Sequence, residues 1–319
     1  MIRLGFGRHA LGIGLGLLML AGCGGSRAGG PMPMGNPSAQ AKAHSMSGSS
    51  GDLLYVSDID TGAVYVFSYP TGNLVQTLTG FASPGGLCTD SSGNVYVPDI
   101  YASIVYEFAH GGTSPINTLQ PTGRPSSCWL DPNTGDLAVT NYNNFVSIYK
   151  DAQGSPTNYP TQTLAVFCTY DNNGNLYVLE PGQLSTGMVV EMLPKNGTSF
   201  ERVSFNKFLG TQWPAGIQWF GNHLVLAKEG PTGYGCCGRV FRFKMTGASG
   251  KHTGSYQTTH LIGSFFIYKS TLIATNLNDT IQFYNYPKLH KPTVTITGPE
   301  SESYGVTVSV APSGSRIRQ

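Results

Sequence analysis

Six polar residues recur at one place in a repeating pattern. Asp58, Asp99, Asn141, Glu180, Lys228 and Asn276 each close a short apolar run and precede a turn. Three carboxylates and two amides gathered in a ring would offer the oxygen donors that a hard cation such as Ca²⁺ takes. The same residue types also cap a hairpin locally, through side-chain to backbone hydrogen bonds, and one residue per repeat fits that role equally. Lys228 breaks the series. It is either a solvated lysine or the mark of a site for an anionic ligand. No other motif calls for a cofactor. A Ser-His-Asp set, a metal-spaced histidine pair and a phosphate-binding glycine loop are all missing from the sequence, and His110, His223, His252, His260 and His290 are scattered.

The cysteines carry a second kind of chemistry. Cys236 and Cys237 are adjacent in the glycine-rich stretch Glu229 to Arg239. Flanking glycines permit the unusual turn of a vicinal disulfide; two free thiols, or pairing elsewhere, are the alternatives. Cys128 and Cys168 each lie three residues before an aspartate, Asp131 and Asp171, whereas Cys88 lies two before Asp90. Strand side chains alternate between faces. Cys128 and Cys168 therefore point the same way in their units, and Cys88 points the other way. If one inter-unit disulfide forms among these three, it joins Cys88 to Cys128 and leaves Cys168 a buried thiol. The competing reading makes all three small apolar fillers.

The elements that must position these residues are short strands. Pro84-Gly-Gly-Leu-Cys-Thr-Asp90 leads through Ser-Ser-Gly-Asn to Val95-Tyr-Val-Pro-Asp99. Pro125 to Asn141 and Ala165 to Glu180 repeat that order of strand, Asp/Asn/Gly turn and strand. A third strand follows each, such as Ile104–Phe108 or Phe145–Tyr149, and a fourth precedes the next unit, such as Ile116–Leu119. Weaker units begin at Pro214 and Ser264. Four strands at a spacing of about 40 to 50 residues are the mark of propeller blades. The folded part opens at Asp52-Leu-Leu-Tyr-Val-Ser-Asp58, a second strand, and closes at Tyr304 to Gly314, a first strand with its turn. These fragments complete one blade, with the C-terminal strand innermost, so the expected fold is all-β: a six-bladed β-propeller whose two ends share a blade.

The units resemble NHL repeats in their Pro-x-Gly start, Gly93-Asn94 turn and Tyr96-Val-Pro-Asp99 strand. Ala138-Val-Thr-Asn141 and Ile273-Ala-Thr-Asn276 look like the YVTN repeats of surface-layer propellers. The resemblance spans most of residues 51–314 and implies a propeller, in families that host binding proteins, scaffolds and enzymes. Glu229-Gly230-Pro231 is similar to the opening motif of gluconolactonase-like propellers, which are metal-dependent lactonases, but here it follows a second strand. Their remaining ligands do not map onto this chain.

The N-terminus adds an address. Arg3 and Arg8 precede an apolar run over Leu11–Leu20, and Leu20-Ala21-Gly22-Cys23 closes it. That order resembles the lipobox of bacterial lipoproteins, which implies cleavage before Cys23 and a diacylglycerol on its thiol. Residues 1–22 then form a signal peptide. Residues 23–50, rich in Gly, Ser, Pro and Ala, form a disordered tether with a reach on the order of 30 Å. Residues 51–314 form the propeller and 315–319 a tail. Charged residues are only 11% of the chain, which suits a β-rich extracytoplasmic protein better than a cytosolic helical one. A net charge of +2 gives no electrostatic footprint for nucleic acid.

The expectation is a lipid-anchored envelope protein, on the outer membrane where the host has one because Gly24 follows the cysteine. Its loop face would bind an envelope protein or a small ligand; the alternative is a metal-dependent lactonase or other hydrolase at the channel mouth. Cys23→Ala is expected to move the protein from the membrane to the soluble fraction on cell fractionation. A variant that stays with the membrane contradicts the lipid anchor.

Overall fold

The computed structural model describes residues 51–182, 187–230, 237–276, 280–289, 291–298 and 302–312. Cys23, the tether, Cys236 and the tail lie outside them. Apolar and β-branched runs broken every few residues by Gly, Asn and Asp turns leave the chain little choice but short antiparallel strands. Blade 1 takes β1 (Leu53–Asp58), β2 (Ala63–Ser68) and β3 (Leu74–Thr79). Blade 2 takes β4 (Cys88–Thr89), β5 (Val95–Asp99), β6 (Ile104–Phe108) and β7 (Pro115–Leu119). Blade 3 takes β8 (Pro125–Leu130), β9 (Leu137–Asn141), β10 (Phe145–Tyr149) and β11 (Thr157–Pro160). Blade 4 takes β12 (Phe167–Tyr170), β13 (Leu176–Glu180), β14 (Val189–Leu193) and β15 (Glu201–Arg202).

Blade 5 follows a short strand, β16 (Ser204–Phe205), and takes β17 (Pro214–Phe220), β18 (His223–Lys228), β19 (Arg239–Thr246) and β20 (Ser249–Gln257). β16 adds to it in parallel, pairing Ser204 with Ser249, a fifth strand that the repeat did not suggest. Blade 6 takes β21 (Ser264–Tyr268), β22 (Thr271–Thr275), β23 (Thr280–Asn285) and β24 (Pro292–Thr297). The last strand, β25 (Ser303–Ser309), returns to blade 1 and pairs antiparallel with β1, Leu53 opposite Ser309 and Val56 opposite Val306.

The six innermost strands touch in a closed circle, β25, β4, β8, β12, β17, β21 and back to β25. The fold is a six-bladed β-propeller. Its core is divided among the interfaces between neighbouring blades. Leu53, Tyr55, Leu87 and Val97 pack between blades 1 and 2, whereas Leu54, Val56, Ile273 and Phe283 pack between blades 1 and 6. Strand alternation makes this division: odd and even residues of β1 serve opposite neighbours. Both faces are buried, so second strands such as β1, β5 and β13 read as nearly continuous apolar runs rather than alternating ones.

Crowding at the axis sets the sequence of the first strands. A Cβ on Gly85 would overlap the Ser126 carbonyl oxygen of the next blade. Gly216 has φ +134°, and its Cβ would come within 2.9 Å of the Phe265 ring. Polar side chains join neighbouring blades where backbone pairing cannot. Ser57 Oγ donates to the Gly85 carbonyl at 2.6 Å. The Gln218 amide donates to the Ile267 carbonyl at 2.9 Å and accepts from the Ile267 N–H at 2.6 Å. The space left along the axis, between Gly86, Ser127, Phe167, Gly216, Phe265 and Val306 among others, is about 20 Å³. That holds about one water.

Candidate functional site

The six second-strand residues do not form an open ring. Asp58, Asp99, Asn141, Glu180 and Asn276 are all buried, and only Lys228 is partly exposed. Each contact links the hairpin to its own blade or to the segment that enters it. Asp58 accepts from the N–H groups of Asp60 and Thr61 at 3.0 and 2.9 Å, and from Glu302 N–H at 3.1 Å. Asp99 accepts from Ala82 N–H at 2.8 Å and Ser83 N–H at 2.9 Å. Asn141 donates to the Val139 carbonyl and to Ser147 Oγ. Asn276 donates to Thr280 Oγ1 at 2.9 Å. Lys228 Nζ donates to Gln212. Asp58, Asp99, Glu180 and Lys228 clamp the incoming connection onto the blade, whereas Asn141 and Asn276 cap their own hairpins. Among the described residues no group of three or more His, Cys, Asp or Glu is close enough to hold one ion.

Glu180 differs from the others. Its Oε2 accepts from Thr163 Oγ1 at 2.5 Å, and its buried Oε1 has no partner. Glu191, itself buried, lies diagonally across the β13–β14 pairing on the same face and accepts from Gln162 N–H at 3.0 Å. Burial first, and then the neighbouring Glu191 carboxyl, push the Glu180 carboxyl up to about 8. Glu229, on the opposite side of Lys228 in sequence, is pushed up to about 7 by burial and by Glu302.

Cys88 and Cys128 form a disulfide between blades 2 and 3, with Cα atoms 5.6 Å apart. Cys168 is a free thiol, fully buried, and burial pushes it well above its ordinary value. Cys237 is disulfide-bonded, and its φ is +78°; Cys236 lies outside the described residues.

A further site is on the other face, where the turns between first and second strands emerge. A cavity of about 650 Å³ sits at that mouth of the ring. Its residues come from blades 2 to 6. Trp129 on β8 and Phe266 on β21 meet across the axis at 6.1 Å between ring centroids. Trp219, from β17, stacks on Tyr177 at 5.9 Å, and its backbone N–H donates to Thr169 Oγ1 at 3.0 Å. Tyr170 completes the aromatic wall, and the rim is Asp90, Asp131, Asn133 and Asn172. No lysine or arginine is among its lining residues.

The turns hold that rim still. Asp90 Oδ1 accepts from the N–H groups of Ser92 and Asn94, and Asp131 Oδ1 from Asn133 N–H at 2.9 Å. Asn133 reaches the next blade by donating to the Asn172 carbonyl at 3.2 Å. Sequence reasoning did not find the aromatic wall. The available signal was offset: Trp129 stands two residues before Asp131, as Cys88 does before Asp90 and Thr169 before Asp171.

The comparisons agree with this architecture. No protein-family model matches the chain, and no curated protein matches its sequence. A chain of a solved structure titled "Crystal structure of Nidogen/Laminin Complex" superposes with a TM-score of 0.64 at 16% identity, covering 82% of this chain and 100% of that one. A chain of Kuenenia stuttgartiensis hydrazine synthase gives a TM-score of 0.56 at 10% identity, covering 73% of each chain. At these identities the likeness is one of fold.

Buried Glu180 makes stability depend on pH. Folded Glu180 holds its proton up to about 8, while the unfolded chain releases it near 4.5. Between those values the folded state binds more protons, so stability falls as pH rises. Urea midpoints measured from pH 5 to 9 should fall, and Glu180→Gln, which keeps the shape and carries no titrating proton, should flatten the decline. The difference at pH 9 is expected to be on the order of 1–3 kcal/mol in favour of the variant. An unchanged slope would show that Glu180 does not carry the effect.

Proposed function

We propose that this chain is a lipid-anchored, extracytoplasmic binding module whose β-propeller presents the channel-mouth cavity to a partner protein or small ligand. The observation that carries the reading is the cavity itself: an aromatic wall with a carboxylate and amide rim, drawn from five blades and fixed by turn hydrogen bonds. Its volume is in the range of ligand sites, and its mixture of apolar wall and few convergent polar groups is what such sites need. Aromatic rings supply contact area at low entropic cost. With carboxylates and no cation on the rim, a bound group would bring hydrogen-bond donors to its edge and an apolar face to Trp129 and Phe266.

The nidogen/laminin title describes a protein complex, which supports protein binding by analogy of fold alone. A metal-dependent lactonase at the second-strand face is less supported. It would need oxygens that Asp58 and Asp99 give to backbone N–H groups.

Two of the three tryptophans line the cavity, so intrinsic fluorescence reports on it. Glycans and peptides can be screened by fluorescence and by melting temperature. A true ligand should lose about tenfold or more in affinity in Trp129→Ala and keep its affinity in Trp213→Ala. Trp129→Phe should retain the fold and part of the binding. Ligands that bind unaltered to Trp129→Ala and Trp219→Ala would place the binding surface elsewhere.

A further inference from the structure

Blade 5 holds a second cavity, of about 510 Å³, on the face of the second-to-third strand connections. Lys228 ends β18 and Arg239 begins β19. The two are directly opposite in the antiparallel register, an arrangement in which like charges destabilise a sheet. Lys207, on the segment entering the blade, brings a third cation to the same cavity, and Phe208, Phe241 and Gln212 also line it.

Among the described residues no carboxylate forms an ion pair with Lys228, Arg239 or Lys207. No carboxylate is among the lining residues. Among the described residues the one ion pair is Lys269 with Asp52, on another blade. The segment 231–236 that links Gly230 to Cys237 contains no acidic residue. Lys228 is half-buried, and its Nζ has a neutral partner in Gln212 and lies 5.9 Å from the centre of the Phe241 ring. Burial first, and then Arg239, lower its affinity for its proton. Half-buried Lys228 and exposed Arg239, opposite each other in register, repel one another, exposed Lys207 lines the same cavity, and a bound anion would relieve the repulsion. Beside them the Phe208 ring is 61% exposed, a large apolar surface left in water.

We propose that this cleft in blade 5 binds an oxyanion carried on an apolar group, with the oxyanion between Lys228, Arg239 and Lys207 and the apolar part against Phe208 and Phe241. Arg239 supplies the planar fork that matches phosphate or carboxylate geometry, and the lysines supply point charges. The site lies on the opposite face from the aromatic cavity, so either reading can fail without the other. One chemistry has two sources here: a soluble phosphate ester and an anionic lipid headgroup.

The test is calorimetric titration of phenyl phosphate into the full chain at low salt. Saturable binding is expected, tighter than that of inorganic phosphate. Lys228→Gln and Arg239→Gln should each weaken it roughly tenfold or more, while Lys291→Gln, on an exposed residue of blade 6, leaves it unchanged. Phe208→Ser should bring phenyl phosphate down to the level of inorganic phosphate. Folding is checked by melting: Lys228→Gln should melt at or above the parent temperature, since it removes repulsion, and phenyl phosphate should raise the melting temperature of the parent and of Lys291→Gln more than that of Lys228→Gln or Arg239→Gln. Co-sedimentation with phosphatidylglycerol vesicles that phenyl phosphate competes away assigns the oxyanion to a lipid headgroup. Phenyl phosphate binding without co-sedimentation assigns it to a soluble ligand. The absence of saturable binding to either probe, or binding unchanged in the Lys228→Gln/Arg239→Gln double variant, overturns the site.

Discussion

The structure depends on closing six inner strands around one axis. Each strand must pack against both neighbours, so the ring tolerates no gap, and the axis leaves room for about one water. Small residues at Gly85 and Gly216 follow from this crowding. So do the polar links between first strands, where Gln218 gives Ile267 the two hydrogen bonds that a neighbouring strand would otherwise supply. Between blades the apolar layers contribute the bulk of the stability, at about 1.5–3 kcal/mol for each fully buried large side chain. Each layer is limited to two blades, so the ring is only as strong as its seam.

At the seam, β25 supplies the inner strand of a blade whose other strands begin the chain. Asp52 ties the two ends. It accepts from Ala311 N–H at 3.2 Å and from the Tyr268 hydroxyl at 3.0 Å. His110 of blade 2 hydrogen-bonds Ser309 Oγ at 2.6 Å and the Gly51 carbonyl at 3.1 Å, bridging both termini of the ring. Pairing β1 on both sides also removes the open edges that would otherwise invite association. The aromatic cavity takes the face of the first turns. The cationic cleft takes the opposite face, in the blade with the longest second-to-third strand connection.

The fold was legible because its turns are written in the sequence. Asp90, Asp131 and Asp171 each open a turn in which the carboxylate accepts backbone N–H groups, and that chemistry repeats visibly. The relation of Cys88 to Cys128 was legible through parity alone, since alternation fixes which strand residues oppose each other. The second-strand residues were legible as a set, but their clamping of the incoming segments was not. That role depends on where Ala82 and Thr163 come to rest, which local pattern does not state. The Glu180–Glu191 pair needs the β13–β14 register. Trp129, Trp219 and Phe266 read as ordinary strand apolars until the ring brings distant blades to one mouth. β16 is two residues long and joins its sheet in parallel, below the resolution of any periodic pattern.

Hydrogen exchange of the intact chain, resolved to individual amides, tests ring closure most directly. If β25 completes blade 1, the amides of 304–309 should exchange as slowly as those of β1 and β2, and lose protection with them in one step as denaturant is added. Rapid exchange across 304–309, with β1 and β2 still protected, would contradict a ring closed by its two ends.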